Sequence, residues 1–523
     1  MRRIAALAFL AAASSAGCDD MRGRAPGTPA GVLPAAACDP ADAVETGVQG
    51  QIPFPLRSAG AFAGFQCNLH IAARIRGEGA GWQHVFFADA SGHRCSYYDT
   101  AATAENRLHQ GVVVVDATDV DHPVVTTYLV SPAMLDPLES LRVNDRRGLL
   151  AAARDLSAAN GPEVELYDLS GDCRFPRLLS PPLQPASDAA AANGAARGND
   201  TAAANGAPAG VAVTRGDEGN FAPDGLTYYA THLRSGTIVA VDVSDPAKPR
   251  RLAQWSMPSN QRTSGLSLNA EGTRIYLTLY GRGLASPAGS AEGLDNGIVI
   301  ADVTEVQARR PRPRILPVAT LLWGDGSAAH ETLPVTIGGR RYLVVTDEGG
   351  AGDPNTPGWT AACNAGLPPW AMARLIDISD EAAPRLVARL SLAINDAGRC
   401  GKVIPDLAGL TGFTYGSHSC SVDRADDATT LACGWFESGV RVFDIRQPAQ
   451  PREIAYFVPA SVTVPSPGSL NNRRAANGRP DHCSAQVRLD PAAGALFTTC
   501  QDNGFLALRF ERAAWPFDSG GAH

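Results

Sequence analysis

Short apolar runs recur along the chain, and most of them end in aspartate. In the copy TIVAVDVSDPAKPRRLAQW at 237–255, a β-forming run is followed by an Asp/Ser/Pro turn and a second run. Runs with this alternation and this content of β-branched residues predict β-strands. Six further copies lie at 111–130, 164–179, 297–316, 373–390, 440–457 and 504–517. The pattern predicts an all-β protein built from seven repeats.

Each copy is interpreted as the third and fourth strands of a four-stranded antiparallel blade. The aspartate that ends the first run is expected to accept hydrogen bonds from the backbone of the turn, a role that we favour over calcium binding. A hairpin upstream supplies the first two strands, as at 266–277, where Asn-Ala-Glu-Gly forms the turn. Blades of this kind hide their edges by stacking radially around a channel. We therefore predict a seven-bladed β-propeller.

The third-strand motifs VVVVD, IVAVD, GIVIAD and RLID resemble the repeat of the LVIVD-repeat family of propeller proteins. The resemblance covers about residues 67–512. It implies a propeller in an envelope setting, and no particular chemistry, because the family is defined by its repeat. The run Cys67–Ile75 is similar to the fourth strand of other copies. We expect this N-terminal strand to complete the seventh blade and close the ring.

The N-terminus has the organisation of an export signal. Two arginines precede an apolar run, Ile4–Ala13, and a small-residue segment that ends in Ala16-Gly17-Cys18. This ending resembles a bacterial lipobox, in which the thiol of Cys18 is acylated, and ordinary signal-peptide cleavage is the alternative. Residues 1–18 are thus a predicted lipoprotein signal peptide. Residues 19–50 are a predicted flexible tether, and 51–523 a single propeller with a low-complexity loop at 184–208.

No second apolar stretch is long enough to span a bilayer, so contact with the membrane is expected through the lipid anchor only. The net charge is −8 and only two lysines occur, which argues against nucleic acid as a partner. We expect a monomer on the periplasmic or cell-surface side of the bacterial envelope. Its partner is expected to be an envelope protein, a glycan or a small ligand.

The chain has 11 cysteines, and ten remain when Cys18 is set aside. An exported protein is expected to pair them. Two pairs follow from hairpin geometry, because Cys420 with Cys433, and Cys483 with Cys500, lie symmetrically about predicted turns. The remaining assignment is Cys363–Cys400, Cys67–Cys95 and Cys38–Cys173.

One histidine position is shared by four blades, although no nucleophile elbow, Walker loop, HExxH or paired CxxC motif occurs. His84, His330, His418 and His482 each stand eight residues before the hairpin turn of a blade. This spacing places them at the start of innermost strands in blades 1, 5, 6 and 7, which are consecutive in a closed ring. Convergent imidazoles would bind iron, zinc or copper. The alternative, which the sequence favours, is a structural histidine bonded within its blade, as in WD-repeat propellers.

Four charged residues are candidates for binding a ligand beside these histidines. In the other blades, the corresponding positions hold Pro137, Arg215 and Arg262, to within one or two residues, and the two arginines would suit an anionic substrate. Glu331 and Asp481, each next to one of the histidines, would orient imidazoles. The sequence indicates no catalytic residue.

Two classes of function remain open, with a purely structural lipoprotein as a third. The leading hypothesis is a binding or interaction scaffold in the cell envelope, which would use long insertions at 280–296, 348–370, 393–413 and 460–481. The alternative is a metal-dependent oxidoreductase or lyase with a four-histidine site at the channel.

Overall fold

In the computed structural model of this protein, the apolar runs that end in aspartate form the third strands of six sheets, and the run Gly504–Phe510, which lacks the aspartate, forms that of the seventh. The structure describes residues 31–517, except for 59–61, 77–81, 100–108, 136, 155–163, 182–216, 234, 259–260, 286–294, 353–355, 408–412 and 463–479. The predicted signal peptide with Cys18, and the predicted loop at 184–208, lie outside the described residues.

Seven antiparallel sheets form a ring, which confirms the predicted seven-bladed propeller. The strands of each blade are given from the innermost outward. Blade 1 contains His84–Ala88, Arg94–Asp99, Val112–Asp116 and Val124–Leu129; blade 2 contains Arg142–Asn144, Leu149–Ala153, Val164–Asp168 and Arg177–Leu178; blade 3 contains Gly219–Phe221, Thr227–His232, Thr237–Asp242 and Arg250–Ser256; and blade 4 contains Leu266–Leu268, Arg274–Leu279, Gly297–Asp302 and Leu316–Leu322. Blade 5 contains Ser327–Ile337, Arg340–Gly349, Ala373–Asp377 and Arg385–Leu390; blade 6 contains Cys420–Val422, Thr430–Gly434, Val440–Asp444 and Arg452–Val458; and blade 7 contains Arg488–Asp490, Ala495–Cys500, Gly504–Phe510 and Leu69–Ile75.

Helices are short and lie in the connections. Within the described residues, the α-helices are Phe54–Ser58, Thr304–Gln307, Thr356–Asn364 and Cys400–Val403, and the 3₁₀ helices are Ala393–Asn395, Ala397–Arg399 and Ile404–Leu407. In the described parts of the chain, no helix is long and apolar enough to cross a membrane.

The predicted aspartate turn is confirmed in blades 1 to 6. In each, the aspartate that ends the third strand accepts a hydrogen bond from the backbone N–H two residues later, at N···O distances of 2.8–3.1 Å. The six are Asp116, Asp168, Asp242, Asp302, Asp377 and Asp444. Every atom involved belongs to the turn itself, so the repeat motif is explained by local geometry.

The middle strands are buried on both faces, as in Thr237–Asp242, where all six residues are buried. Their apolar side chains pack between neighbouring blades. One such cluster joins Leu149 and Leu166 of blade 2 to Tyr228 and Val239 of blade 3. The core is therefore a set of interfaces between blades, and this is why these strands are continuous apolar runs in the sequence.

The ring is closed by the N-terminal strand, as predicted, although the strand begins at Leu69. Leu69–Ile75 pairs with Gly504–Phe510 as the fourth strand of blade 7. Phe65–Cys67 instead pairs with Arg452–Val458 as a fifth strand on blade 6. The chain thus joins two neighbouring blades, turning at Asn68, which has a φ of 55°.

The prediction of a flexible tether is wrong for residues 31–50. Leu33 and Val48 are buried in the apolar cluster between blades 5 and 6. Glu45 forms an ion pair with Arg441, whose side chain is fully buried. The few apolar residues of this otherwise small and polar segment pack against apolar residues of blades 5 and 6, which composition alone does not reveal.

Five disulfides are present, and they indicate an oxidising compartment. Cys420–Cys433 and Cys483–Cys500 are confirmed, with Cα–Cα distances of 4.1 and 4.3 Å, and Cys363–Cys400 is also found. The other two predicted pairs are wrong, since the structure contains Cys38–Cys67 and Cys95–Cys173. Packing of the N-terminal segment on blade 6 brings Cys38 to Cys67, an approach that no local spacing encodes.

Candidate functional site

Three buried side chains converge where the innermost strands of blades 5 and 6 begin. The Nε2 atom of His330 lies 2.8 Å from Oε2 of Glu139, and Nε2 of His418 lies 3.4 Å from Oε1 of the same carboxyl group. The two imidazole rings are 4.0 Å apart between centroids. All three residues are at least 95% buried. We refer to His330, His418 and Glu139 as the channel triad.

A bulge in the first strand of blade 5 directs His330 inward. Ala329 pairs with Asp347, but the next pair is Thr332 with Val345, so the strand carries one extra residue at His330 and Glu331. Such bulges bend a strand and re-aim the side chains on it. Ala328 has a φ of 54°, which marks the start of the distortion.

His418 and Glu139 are fixed by backbone contacts just before the first strands of their blades. The N–H of His418 donates to the carbonyl of Gly434, which holds this segment beside the second strand of blade 6. Glu139 forms an isolated parallel bridge with Glu218, so the entry of blade 2 is joined to the entry of blade 3. The three triad members therefore belong to three blades and are held by main-chain hydrogen bonds.

The tautomer of His418 suits a ligand role. Its Nδ1 lies 2.9 Å from the carbonyl oxygen of Ser484, and a carbonyl only accepts, so Nδ1 carries the hydrogen. Nε2 then presents a lone pair toward Glu139 and toward Glu348, whose Oε1 is 3.1 Å away. A backbone carbonyl that orients the imidazole in this way is typical of metal-binding histidines. The Nδ1 atom of His330 is buried and has no hydrogen-bond partner among the described residues.

In the part of the chain that the structure describes, several carboxyl groups lie around the triad. The acidic group consists of Glu139, Asp217, Glu218, Glu331 and Glu348, all of which interact electrostatically with a triad histidine or with one another. Among the described residues, Arg142 faces them, at 3.4 Å from Glu218 and 4.0 Å from Glu331. A buried charge is costly unless it is paired, so these carboxyl groups must either be protonated or be paired with a further cation.

The pKa directions show where protons reside without a cation. Burial, with the neighbouring carboxylates, raises the pKa of Glu139, Asp217 and Glu218 to about 8. Glu348 behaves in the opposite way. Burial opposes the ionisation of Glu348, but the interactions of its carboxylate with His418 and His330, and the hydrogen bond from Tyr280, outweigh this and lower its pKa. The site therefore has one ionised carboxylate beside several protonated carboxyl groups. A divalent cation can bind to such a group by displacing the protons.

The donor set of the triad fits a transition metal. Its three ligand atoms, one from each side chain, lie within 4.8 Å of one another. Bonds of roughly 2.0–2.2 Å from a common centre to imidazole nitrogen and carboxylate oxygen require spacings of this order. Two histidines and one carboxylate, with positions left for a substrate, are the ligands of catalytic zinc and of non-haem iron enzymes.

The four predicted histidines do not all meet. His482 is separated from His418 by aromatic rings: Phe436 stacks on His482 at 4.7 Å, and Trp82 lies 5.2 Å from His418 and 6.0 Å from His482. The Nε2 of His482 contacts the carbonyl of Phe413. His84 lies farther along the channel, where its Nδ1 contacts the carbonyl of Gln486.

The other predicted binding residues occupy different environments. Glu331 accepts hydrogen bonds from the N–H of Cys420 and from Gln486, so it joins blades 5, 6 and 7 beside the triad. Asp481 binds the backbone N–H groups of Asp502 and Asn503, and in the described contacts it holds that turn and no imidazole ring. Arg262 is half-buried before the first strand of blade 4. Arg215 lies outside the described residues.

The sequence predicts Glu331 as a residue of the site, but not the other acidic members, which are Glu139, Asp217, Glu218 and Glu348. Position 137 was assigned as the counterpart of the histidines in blade 2, and the structure places Glu139 there, two residues later. Shifts of two and three residues lead from Arg215 to Asp217 and Glu218. Glu139, Asp217 and Glu218 all lie within three residues before the first strand of a blade, and this shared acidic character is the signal that the sequence offers.

No family model and no curated protein matches this chain. Among solved structures, it is similar to a periplasmic gluconolactonase of Pseudomonas aeruginosa, with 14% identity, a TM-score of 0.44, and 73% and 85% of the two chains covered. It is also similar to a candidate 6-phosphogluconolactonase of Bacteroides fragilis, with 9% identity, a TM-score of 0.45, and 79% and 90% of the two chains covered. A third similar structure is the Cps50 (Swd1) propeller of Myceliophteria thermophila, with 10% identity, a TM-score of 0.42, and 84% and 98% of the two chains covered. At such identities the likeness concerns the fold alone.

Proposed function

We propose that this protein binds a divalent transition metal at the channel triad and acts as a metal-dependent enzyme, an oxidoreductase or a lyase. The observation that carries the proposal is the arrangement of Glu139, which reaches both Nε2 atoms of His330 and His418 inside a buried acidic group. A bound cation would satisfy the carboxylates that otherwise hold protons. Two histidines and one carboxylate leave positions at which a small molecule can be polarised.

The test is elemental analysis of the purified mature protein, before and after incubation with iron, zinc or copper salts. We expect about one metal ion per chain. The double variant His330→Ala/His418→Ala should lose it. Glu139→Gln keeps the size of the side chain and removes the charge, so it should weaken binding while the circular dichroism of the fold persists. His122→Ala is the matched control, because His122 lies on an exposed turn.

Absence of metal in the parent after these incubations would contradict the proposal. The histidines would then be structural, with Glu139 acting as a protonated hydrogen-bond partner of the two rings. Metal that is retained by the double variant would place the ligands elsewhere and would also contradict it.

A second candidate function is an interaction scaffold for an envelope protein or glycan. The observation that favours it is that the described parts of two long insertions, at 348–370 and 393–413, are joined to each other and to the N-terminal segment. The helix Thr356–Asn364 is joined by Cys363–Cys400 to the segment Ala393–Leu407, and Gln51 of the N-terminal segment donates to Asp406 at 2.7 Å. A triad variant that has lost its metal and keeps its biological effect would favour the scaffold.

We further propose that the chain is an exported member of the LVIVD-repeat family, anchored through acylated Cys18. The five disulfides support export, and the aspartate-terminated third strands support the family. Mass spectrometry of the mature N-terminus tests the anchor. An N-terminal peptide that begins at another residue than Cys18, or that carries no lipid, would contradict the proposal of a lipid anchor.

A further inference from the structure

The connection between the third and fourth strands of blade 4 presents arginines and apolar side chains together. Seven of the nine residues in 310–318 are exposed. Arg310 and Arg312 lie in the turn, whereas Leu316 and Val318, which are 41% and 39% exposed, lie at the start of the fourth strand. We refer to these four residues as the blade 4 patch.

The two arginines of the patch depart from a pairing that other blades share. In blades 2, 3, 5 and 6, an arginine begins the fourth strand and forms an ion pair of 2.7–3.3 Å with the aspartate that ends the third strand. The pairs are Arg177–Asp168, Arg250–Asp242, Arg385–Asp377 and Arg452–Asp444. In blade 4, Leu316 takes this position, and Asp302 pairs with Arg274 of the second strand. Within the described part of the chain, neither Arg310 nor Arg312 forms an ion pair or a side-chain hydrogen bond.

The turn of the patch is held in one shape although its tip is exposed. Arg314 forms a bidentate ion pair with Glu305, and its backbone N–H donates to the same carboxylate at 3.0 Å. The guanidinium of Arg309 donates to a backbone carbonyl of blade 3 at 2.9 Å. Arg312 has a φ of 54°, a left-handed conformation that residues other than glycine rarely adopt. Because the turn is fixed in this way, little ordering is needed when Arg310 and Arg312 bind a partner.

The composition of the patch indicates an anionic lipid surface as the partner. Arginine binds phosphate through a planar array of N–H donors, and apolar side chains beside it can enter the boundary between headgroups and acyl chains. The edge is less suited to an added peptide strand, because Pro317 lies within the outer strand. The chain as a whole has a net charge of −8, so only a local positive surface can approach an anionic membrane.

The proposed lipid anchor would keep this side of the propeller within reach of a bilayer. Twelve residues, 19–30, separate Cys18 from Gly31, and when fully extended they span about 40 Å at most. The chain then reaches the end of the outer strand of blade 5, where the N–H of Leu33 donates to the carbonyl of Ser391 at 2.8 Å. Blade 5 is the neighbour of blade 4 in the ring.

We propose that the blade 4 patch binds an anionic phospholipid membrane, with Arg310 and Arg312 at the phosphate groups and the two apolar side chains at the apolar boundary. This contact adds to the lipid anchor that the sequence predicts, and it does not require the metal site. One arginine near an anionic surface increases affinity by roughly fivefold, so the pair should contribute about tenfold or more.

The test is co-sedimentation with phospholipid vesicles, in the presence of EDTA, of residues 19–523, which contain the whole described chain without the acylation site. Vesicles that contain phosphatidylglycerol should bind this protein at least about tenfold more tightly than vesicles of phosphatidylcholine alone. Raising the salt from about 0.1 M to about 1 M should remove most of this difference, because it shortens the screening length.

Two double variants connect binding to the patch. Arg310→Gln/Arg312→Gln removes both charges, and Leu316→Ser/Val318→Ser removes the apolar contact. All four side chains are exposed, so the fold should persist, which circular dichroism and thermal unfolding check. Each variant should bind the anionic vesicles more weakly than the parent does, and the arginine variant by about tenfold.

The matched control is Arg177→Gln/Arg385→Gln, which makes the same change in net charge in blades 2 and 5. These side chains are 74% and 73% exposed, and each is paired with an aspartate. The control should bind the anionic vesicles as tightly as the parent does.

Three results would overturn the proposal. They are no binding of the parent to anionic vesicles, equal binding to neutral vesicles, and a loss in either patch variant that is no greater than in the control. If the vesicles are not bound but immobilised polyglutamate retains the parent longer than the arginine variant, the patch recognises an acidic protein and the membrane proposal fails. The protein tested carries no acyl group and EDTA is present, so these results are independent of the lipid anchor and of the metal site.

Discussion

Histidines that occupy one sequence position perform different tasks in this propeller. His330 and His418 point at a shared carboxyl group, whereas the Nδ1 atom of His84 contacts the backbone carbonyl of Gln486. The difference arises from what each neighbouring blade contributes. Glu139 and Glu348 surround the first two, and Gln486 and Arg488 surround the third.

His84 should make folding sensitive to mild acid. Its pKa is lowered to about 4 by burial, from 6.5 in the unfolded chain. As the pH falls below 6.5, the unfolded chain takes up a proton that the folded protein refuses, so stability is lost until about pH 4. The difference corresponds to about 3 kcal/mol. Urea unfolding between about pH 7 and pH 4 measures it.

The variant His84→Phe isolates this effect from the titration of other groups. Its free energy of unfolding should fall less between these pH values than that of the parent, by the same 3 kcal/mol or so. If the free energies of unfolding of the parent and of the variant depend on pH in the same way, the ring of His84 is protonated as readily in the folded protein as in the unfolded chain.

At the scale of single elements, blade 5 has the most unusual strands. Its first two strands contain 11 and 10 residues, and the bulge at His330 lies where they extend beyond the sheet. Its third strand carries Arg374, which is fully buried. Arg374 pairs with Asp347 of the second strand and with Asp325 of the preceding connection, and its guanidinium lies 4.7 Å from the ring of Trp323. These contacts hold the extended strands beside the triad.

Arg374→Met should destabilise the protein by about 3–5 kcal/mol, because it leaves Asp347 buried without its cation. Arg340→Met in the same blade is the control. Arg340 is 58% exposed and pairs with Asp377, so its loss should cost less than about 1 kcal/mol. Chemical denaturation of both variants measures the difference. Equal losses would mean that the buried pair contributes no more than the surface pair.

At the scale of the whole molecule, the channel triad joins distant parts of the chain. Glu139, His330 and His418 come from blades 2, 5 and 6, so one bound ion would bridge the ring. A ligand that binds only the folded state stabilises it by mass action. Metal at 100 times its Kd should therefore raise the free energy of unfolding by about 2.7 kcal/mol in a single cooperative transition.

Thermal and urea unfolding with added zinc, and again after EDTA, check this expectation. Glu139→Gln should lose most of the increment. If zinc stabilises this variant as much as the parent, the ion is bound at another place.

The sequence by itself determined the repeat, the number of blades, the aspartate turns and the closing strand. Each of these depends on residues within about twenty positions of one another, or on a pattern copied seven times. The local hairpin disulfides Cys420–Cys433 and Cys483–Cys500 belong to the same class. Such features follow from local geometry, which the order of residues fixes directly.

Only the tertiary structure decided which chemical groups meet. Cys38 reaches Cys67, and Glu139 reaches His330, because separate segments pack on common surfaces. A shift of two residues at the entry of blade 2 places a carboxylate instead of Pro137 beside the histidines. The path of each blade entry depends on the packing of its neighbours, and the sequence of one repeat does not contain that information.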